Sequence, residues 1–198
     1  MNKAPDPVVY QEKKEKLVEL LSLEDKGEID LFFTDETGFN LTPYIPYGWQ
    51  PIGEQWTIRS SKTRVTNLFG LMNRTGKLEV YATSENIDSQ YIIECVNDFA
   101  QRIIKPTVLV MDNAPWHKAD SVIKMQEQWQ EKGLFLFFLP KYSPHLNLIE
   151  TLWRKIKYEW LRPKDYESAK LLKEAIFNII RRFGNEFSIN FSKNLFVD

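Results

Sequence analysis

Apolar residues along this chain follow two patterns, short continuous runs and runs with helical spacing. A short apolar run is typical of a strand, whereas recurrence every three or four residues is typical of an amphipathic helix. The first pattern predicts five strands: Glu28–Thr34, Arg64–Asn73, Lys77–Thr83, Thr107–Met111 and Leu134–Leu139. The second predicts helices at Tyr10–Leu23, Ser89–Ile104, Ala119–Trp129 and Tyr166–Phe183, and a further helix carrying Leu146, Ile149, Leu152, Trp153 and Ile156. This order predicts an α/β fold with a mixed five-stranded sheet and helices on both faces.

Turn-forming residues separate the predicted elements. Arg74-Thr75-Gly76 predicts a hairpin between the second and third strands. Thr37-Gly38 predicts a turn after the first strand, which would therefore end at Asp35 and Glu36. Because side chains alternate along a strand, those two carboxylates should point to opposite faces of the sheet.

Three segments lie outside the predicted sheet-and-helix unit of residues 28–184. Residues 1–27 are predicted to be an N-terminal helix or linker, and residues 185–198 a C-terminal tail. Residues 40–56 carry three prolines and several aromatic residues and are predicted to form an extended arm or loop. Two interpretations of this loop stay open: it is pinned by its own aromatic side chains, or it offers a surface to DNA or a second subunit.

Composition narrows the class of protein without identifying it. The chain has 198 residues and a net charge of −1, so global charge does not predict a nucleic-acid partner. Between Lys141 and Arg182, however, ten basic residues stand against five acidic ones. This excess suits a phosphate-facing surface or, equally, a solvated helix face. No apolar stretch has the length of a membrane span, no signal peptide is visible and Cys95 is the sole cysteine, so a cytoplasmic protein is expected.

Two aspartates follow predicted strands that are candidates to be neighbours. Asp112 comes directly after the apolar strand Thr107–Met111, and Asp35 follows the first strand. The carboxyl ends of parallel strands are where open α/β sheets place their sites. Glu150, in the first turns of a helix, would bring a third carboxylate. In a chain with 27 acidic residues, solvated surface or turn capping is the competing interpretation for each of them.

Clustered carboxylates raise each other's pKa unless a cation lies between them. Carboxylates are hard oxygen ligands, and the chain has few histidines or cysteines, so Mg²⁺ or Mn²⁺ is the expected ion. Such a site suits phosphoryl transfer, in which metals activate a water or a 3′-hydroxyl and stabilise the leaving oxygen.

Three segments resemble the motifs of DDE transposases, and in particular those of the mariner-like group and related bacterial insertion-sequence enzymes. They are FTDETGF, VMDNAPWHKA and LPKYSPHLNLIETLWRKIK, in that order. The resemblance implies an RNase H-like fold, a metal-binding catalytic triad of Asp35, Asp112 and Glu150, and Mg²⁺ as cofactor with Mn²⁺ as a substitute. It also implies hydrolytic nicking at transposon ends, transfer of the 3′-hydroxyl into target DNA, and a homodimer assembled on DNA.

Further residues near the motifs are candidate DNA contacts. Asn113, His117, Lys141, Arg154 and Lys157 are predicted to touch DNA. Loop structure for His117, turn stabilisation for Asn113 and plain solvent exposure for the cations are the alternatives. Asn147 is expected to cap its helix, and Trp153 and Cys95 are expected to pack in the core.

One departure from the resemblance concerns DNA recognition. Full-length relatives carry N-terminal helix-turn-helix domains, whereas about 30 residues precede the first motif here. We therefore expect end recognition to come from a separate or upstream segment. Two other functions remain open: a nuclease of the same fold that cuts without joining, and a catalytically silent remnant that only binds DNA.

Overall fold

The structure is a computed structural model that describes residues 4–44, 52–53, 60–113, 120–192 and 195–196. Its strands are β1 (Asp30–Leu41), β2 (Ser61–Met72), β3 (Leu78–Thr83), β4 (Thr107–Met111) and β5 (Leu134–Phe138). Its α-helices are α1 (Pro7–Asp25), α2 (Ser89–Ala100), α3 (Asp120–Glu131), α4 (Ile149–Lys155) and α5 (Ala169–Arg181). None of the helices in these ranges has the length and apolar character that crossing a bilayer demands.

All five strands belong to one mixed sheet with the order β3-β2-β1-β4-β5. The hairpin strands β2 and β3 are antiparallel, and β2 also runs antiparallel to β1. β4 lies parallel to β1 on one side and to β5 on the other. The predicted sheet is thus confirmed, including the adjacency of the two strands that lead to Asp35 and Asp112.

Each face of the sheet carries its own apolar core. Alternation along β1 places Phe33 on one side, in a cluster with residues of α1, α4 and α5. Phe32 lies on the other side, in a cluster with residues of α2 and α3. Helices on both faces, as predicted, therefore bury the sheet completely at its centre.

The N-terminal helix α1 packs on the sheet rather than standing apart from it. Its buried Leu17 belongs to the same core as Phe33. Arg74, in the β2–β3 turn, forms ion pairs with two residues at the C-terminal end of α1, at 2.7 Å from Glu24 and 2.6 Å from Asp25. Division of the chain at residue 27 stays a prediction, but α1 contributes to the packing of the sheet.

The predicted end of the first strand is wrong. β1 continues through Asp35 and the expected Thr37-Gly38 turn as far as Leu41. Buried Thr37 and Phe39 keep the alternating pattern, and β2 pairs with the whole stretch. Gly38 suits this strand because a Cβ there would lie 2.9 Å from Asn67 Oδ1. Pairing with a distant strand, which local turn signals do not report, extends β1.

Several predicted helix bounds also differ: α1 begins at Pro7 rather than Tyr10, and α5 covers Ala169–Arg181 rather than Tyr166–Phe183. α2 ends at Ala100, not Ile104, and Ile104 is fully exposed at the turn before β4. The helix that begins at Ile149 changes at Ile156 into a π-helical turn, Ile156–Trp160. A wider turn of this kind shifts the side chains that follow it, and such turns are frequent at functional sites.

The predicted loop and tail are only partly within the described residues. Asn40 and Leu41, at the start of the predicted loop, are instead the last two residues of β1. Residues 45–51 and 54–56 of the loop lie outside the described residues, as do residues 193–194 and 197–198 of the tail. The described part of the tail packs back on the molecule, since Phe187 forms a bridge with Phe183 and contacts the core.

Candidate active site

Asp35 and Asp112 project from the same face of neighbouring parallel strands. The register pairs Phe33 with Val110, so each aspartate lies two residues beyond a paired position. Because side chains alternate, both carboxylates share the face of Phe33 and Val110, which are both in the core beneath α4. Glu36 falls on the other face by the same rule.

Glu150 reaches this face because the segment before α4 is anchored to β1. The side chain of Asn147 donates from Nδ2 to the carbonyl oxygen of Thr34 over 3.0 Å, next to Asp35. Asn147 is 3% exposed, and Leu148, not Asn147, is the residue at the N-terminal boundary of α4. The expected capping role is therefore wrong, and the amide instead fixes the third motif to the first.

The three carboxylates interact electrostatically. Burial is the main cause that raises the pKa of Asp35 to about 8, and the charges of Glu150, Glu36 and Asp112 contribute to this rise. Desolvation likewise raises the pKa of Glu150, with repulsion from Asp112 adding to it and Lys157 opposing it. Without a cation, burial and charge repulsion therefore favour the protonated form of Asp35.

Lys157 lies beside the acids rather than on the outer surface. Its ammonium is 5.4 Å from the ring centre of Phe39 and 5.1 Å from that of Tyr44. Burial lowers its pKa, and the charges of Asp35 and Glu150 oppose that shift. Glu150 and Lys157 are seven residues apart, which is two helical turns, so the spacing itself was a signal that both face one site.

Two open grooves flank Glu150. One has a volume of about 580 Å³ and is lined by Asp112, Asn113, Lys141 and Tyr142 besides Glu150. Tyr142 has a φ of 60°, a left-handed conformation that is uncommon for an aromatic residue. This backbone conformation places the exposed ring of Tyr142 at the rim of the groove. The sequence did not indicate that Tyr142 belongs to the site.

The second groove, of about 640 Å³, is more basic and aromatic. It is lined by Tyr44, Arg154, Lys157 and Tyr158 on the far side of Glu150. Arg154 and Tyr158 are exposed, and the rings of Tyr44 and Tyr158 meet edge to face at 6.0 Å. Both grooves together form a continuous surface that passes over the glutamate.

The donor atoms around the first groove fit a hard divalent cation. Asp35, Asp112 and Glu150 supply carboxylate oxygens, and the Oδ1 atoms of Asn113 and Asn147 are buried without a hydrogen-bond partner among the described residues. Oxygen donors of this kind are the ligands that Mg²⁺ and Mn²⁺ prefer. Within the described ranges, no three acidic, histidine or cysteine side chains are yet close enough to hold one ion. Asp112 and Glu150 thus line the first groove and Asp35 interacts electrostatically with both, without a closed coordination sphere.

The predicted site residues are distributed as follows. Asp35, Asp112 and Glu150 interact at one site, and Asn113 lies beside them. Lys141 and Arg154 are exposed at the rims of the two grooves. His117 lies outside the described residues. Trp153 and Cys95 are buried as expected, at 3% and 4% exposure.

Similar solved structures share this architecture. A chain of the Mos1 strand transfer complex has 14% identity and a TM-score of 0.59, over 99% of this chain and 58% of that one. A chain of the Mos1 mariner paired end complex with Mn has 15% identity and a TM-score of 0.56, over 90% of this chain and 56% of that one. A chain of the simian T-cell lymphotropic virus intasome has 12% identity and a TM-score of 0.51, over 85% of this chain and 54% of that one. At such identities the likeness establishes the fold, which is RNase H-like as predicted.

The family follows from the sequence itself. Among curated protein sequences, none matches this chain. The family model described as DDE superfamily endonuclease matches residues 30–173, nearly three quarters of the chain, from the start of β1 into α5. The match spans all three acidic residues and both grooves, and the chain belongs to the DDE superfamily endonuclease family.

Proposed function

We propose that this chain is the catalytic domain of a DNA transposase that cleaves transposon ends and transfers the cut strand into target DNA. The observation that carries the proposal is the electrostatic interaction of Asp35 with Asp112 and Glu150 at one site, where burial, with a smaller contribution from the neighbouring carboxylates, raises the pKa of Asp35 to about 8. Structural need does not explain this arrangement, because mutually repelling carboxylates destabilise a fold. A role in phosphoryl transfer does explain it.

In this proposal the three carboxylates hold Mg²⁺, for which Mn²⁺ can substitute. A bound divalent ion would supply charge neutralisation and would activate a water or a 3′-hydroxyl for attack on phosphorus. The oxygens of Asn113 and Asn147 are candidates to orient waters around the ion. Asn147 also holds the Glu150 segment against β1 by its bond to Thr34.

The basic side chains around the groove would hold the DNA. Lys157 is placed to face a phosphate close to the carboxylates, while Lys141 and Arg154 would contact phosphates at either rim. His117 is proposed as a further contact on the loop after Asp112. Phosphate contacts of this kind position the strand without reading its sequence.

Recognition of a particular transposon end would need more than this domain. The chain spans 58% of the matched chain of the Mos1 strand transfer complex. We propose that a helix-turn-helix segment, upstream or separate, selects the ends, and that two copies of this chain assemble on DNA. The loop of residues 40–56 is the candidate clamp between copies.

The proposal is tested with pre-nicked terminal DNA, target plasmid and Mg²⁺. Joined products are expected for a transposase, cleavage without joining identifies a nuclease of the same fold, and neither product identifies a silent DNA-binding remnant. Asp112→Asn should lower the rate of strand cleavage about 1000-fold, because it removes a metal ligand that stabilises the transition state by several kcal/mol.

Glu36→Gln is the matched control. It removes an acid adjacent to Asp35 in sequence but on the opposite face of β1, and should change the rate less than about tenfold. Unchanged cleavage by Asp112→Asn would refute the assignment of the metal site.

A further inference from the structure

Helix α4, which carries Glu150, lies directly on a glycine of β2. A Cβ atom built on Gly70 would lie 2.7 Å from both Cζ2 and Cη2 of Trp153 and 2.9 Å from Cδ1 of Ile149. Both partners are in α4 and buried, Ile149 at 0% and Trp153 at 3% exposure. Separations below 3 Å between carbon atoms are strongly repulsive. The helix can approach the sheet this closely only because position 70 has no side chain.

The same glycine is the cross-strand partner of Asp35. The register of β1 and β2 pairs Asp35 with Gly70, and paired residues in antiparallel strands project from the same face. The space above Gly70 is therefore adjacent to the carboxylate of Asp35. Ile149 and Trp153, which fill that space, flank Glu150 in sequence.

The indole of Trp153 occupies this position at the expense of a hydrogen bond. Its Nε1 is buried and has no hydrogen-bond partner among the described residues. A buried donor without an acceptor is unfavourable. The ring is thus held by its shape over the bare backbone of Gly70 rather than by polar contacts.

We propose that Gly70 is a positioning residue for the active site. By leaving room for Trp153 and Ile149, it sets the depth of α4 on the sheet and so the distance between Glu150 and Asp35. Gly70 makes no contact with substrate or metal. The inference rests on the proposed function, because it matters only if Asp35 and Glu150 act on one centre.

The test is Gly70→Ala, read by isothermal titration of the intact chain with Mn²⁺. A methyl group at position 70 should push α4 outward and weaken Mn²⁺ binding at least about tenfold, as supporting groups around a metal typically do. Strand cleavage should lose kcat by a similar factor, while DNA affinity without metal stays the same.

A second variant separates this effect from general damage. Trp153→Phe removes the benzene ring of the indole, whose Cζ2 and Cη2 atoms the new methyl group would meet, and the remaining close contact, Cδ1 of Ile149, is the end of a flexible side chain. Gly70→Ala in the Trp153→Phe background should therefore bind Mn²⁺ within about threefold of Trp153→Phe alone. This comparison holds even if Gly70→Ala by itself fails to fold.

Gly38→Ala is the matched control, a strand glycine whose new Cβ would meet only the Asn67 side chain, at Oδ1. It should leave Mn²⁺ binding unchanged. The inference is overturned if folded Gly70→Ala binds Mn²⁺ like the wild type, or if it still costs tenfold in the Trp153→Phe background. Failure of the proposed function would look different: the wild type itself would show no Mn²⁺ binding that depends on Asp112.

Discussion

The two faces of the sheet are built by different rules. The face covered by α2 and α3 is an apolar core in which polar groups find partners: Trp129, 1% exposed, donates from Nε1 to Asn97 Oδ1 over 2.7 Å. On the acid-bearing face, covered by α1, α4 and α5, Trp153 is buried to a similar extent without an acceptor among the described residues. Among the described residues, the buried indole of one face thus has its hydrogen bond and that of the other face has none.

The same contrast extends to charge. The acid-bearing face includes Asp35, whose pKa is raised to about 8, and Lys157, whose pKa is lowered by burial. Asn113 and Asn147 add buried oxygens that lack a partner among the described residues. Unsatisfied groups of this kind destabilise a fold by about 1–3 kcal/mol each. Their concentration on one face indicates that this face is arranged for a ligand, whereas the opposite face stabilises the domain.

The strongest test of this contrast is Asp35→Asn in metal-free protein. The pKa of Asp35 is near 8 in the folded state and about 3.9 in an unfolded chain. Between these values the folded state binds the extra proton, so the free energy of unfolding should fall as the pH rises from 4 to 8. Asp35→Asn removes this dependence and should stabilise the protein by about 2 kcal/mol at pH 8.5. The full pKa difference corresponds to about 5 kcal/mol, but water that enters the groove screens the charge and reduces the effect.

Urea unfolding followed by circular dichroism at pH 4.5 and 8.5 measures this effect. Saturating Mg²⁺ should reverse the order at pH 8.5, because ligand binding stabilises only the protein with an intact site. An Asp35→Asn variant that is less stable than the wild type at pH 8.5 without metal would contradict the view that the acid-bearing face destabilises the metal-free fold.

The two buried tryptophans sharpen the comparison at a smaller scale. Both Trp129→Phe and Trp153→Phe leave a cavity, but the first also breaks a hydrogen bond and strands the Asn97 oxygen. We expect Trp129→Phe to be more destabilising than Trp153→Phe by about 1 kcal/mol. Thermal unfolding of the two variants measures the difference, and Asn97→Ala, which removes the acceptor alone, is the control. Equal losses would mean that polar satisfaction does not distinguish the faces.

Much of this fold follows from local sequence, and β4 shows why. A threonine followed by four apolar residues between Pro106 and Asp112 admits one interpretation, a strand buried on both faces, and the structure has that strand at Thr107–Met111. The end of β1 was not predictable in this way, because its continuation to Leu41 depends on pairing with residues of β2 that lie twenty or more positions later. Local signals identify elements, and tertiary pairing decides where some of them end.

The residues of the site also differ in whether local sequence or only the folded structure identifies them. Family motifs point to Asp35, Asp112 and Glu150. Lys157 was predicted only as a DNA contact, although its seven-residue spacing from Glu150 could have placed it beside that residue. Gly70 is different: nothing local distinguishes it from any other strand glycine, and its importance appears only when α4 lies on it. Likewise, the bond from Asn147 to Thr34 joins residues 113 positions apart. Contacts of this range are properties of the folded chain.

The smallest expected effect concerns which face the DNA approaches. Arg154 is exposed on the wall of the groove beside Glu150, and Lys124 is exposed on α3, on the opposite face. If Arg154 meets one phosphate, Arg154→Ala should reduce the slope of log affinity against log salt by about 1 and weaken binding about threefold at moderate salt. Lys124→Ala should change neither quantity. Fluorescence anisotropy with labelled duplex at several salt concentrations measures both variants, and a reversed pattern would mean that DNA lies against α2 and α3 instead of crossing the carboxylates.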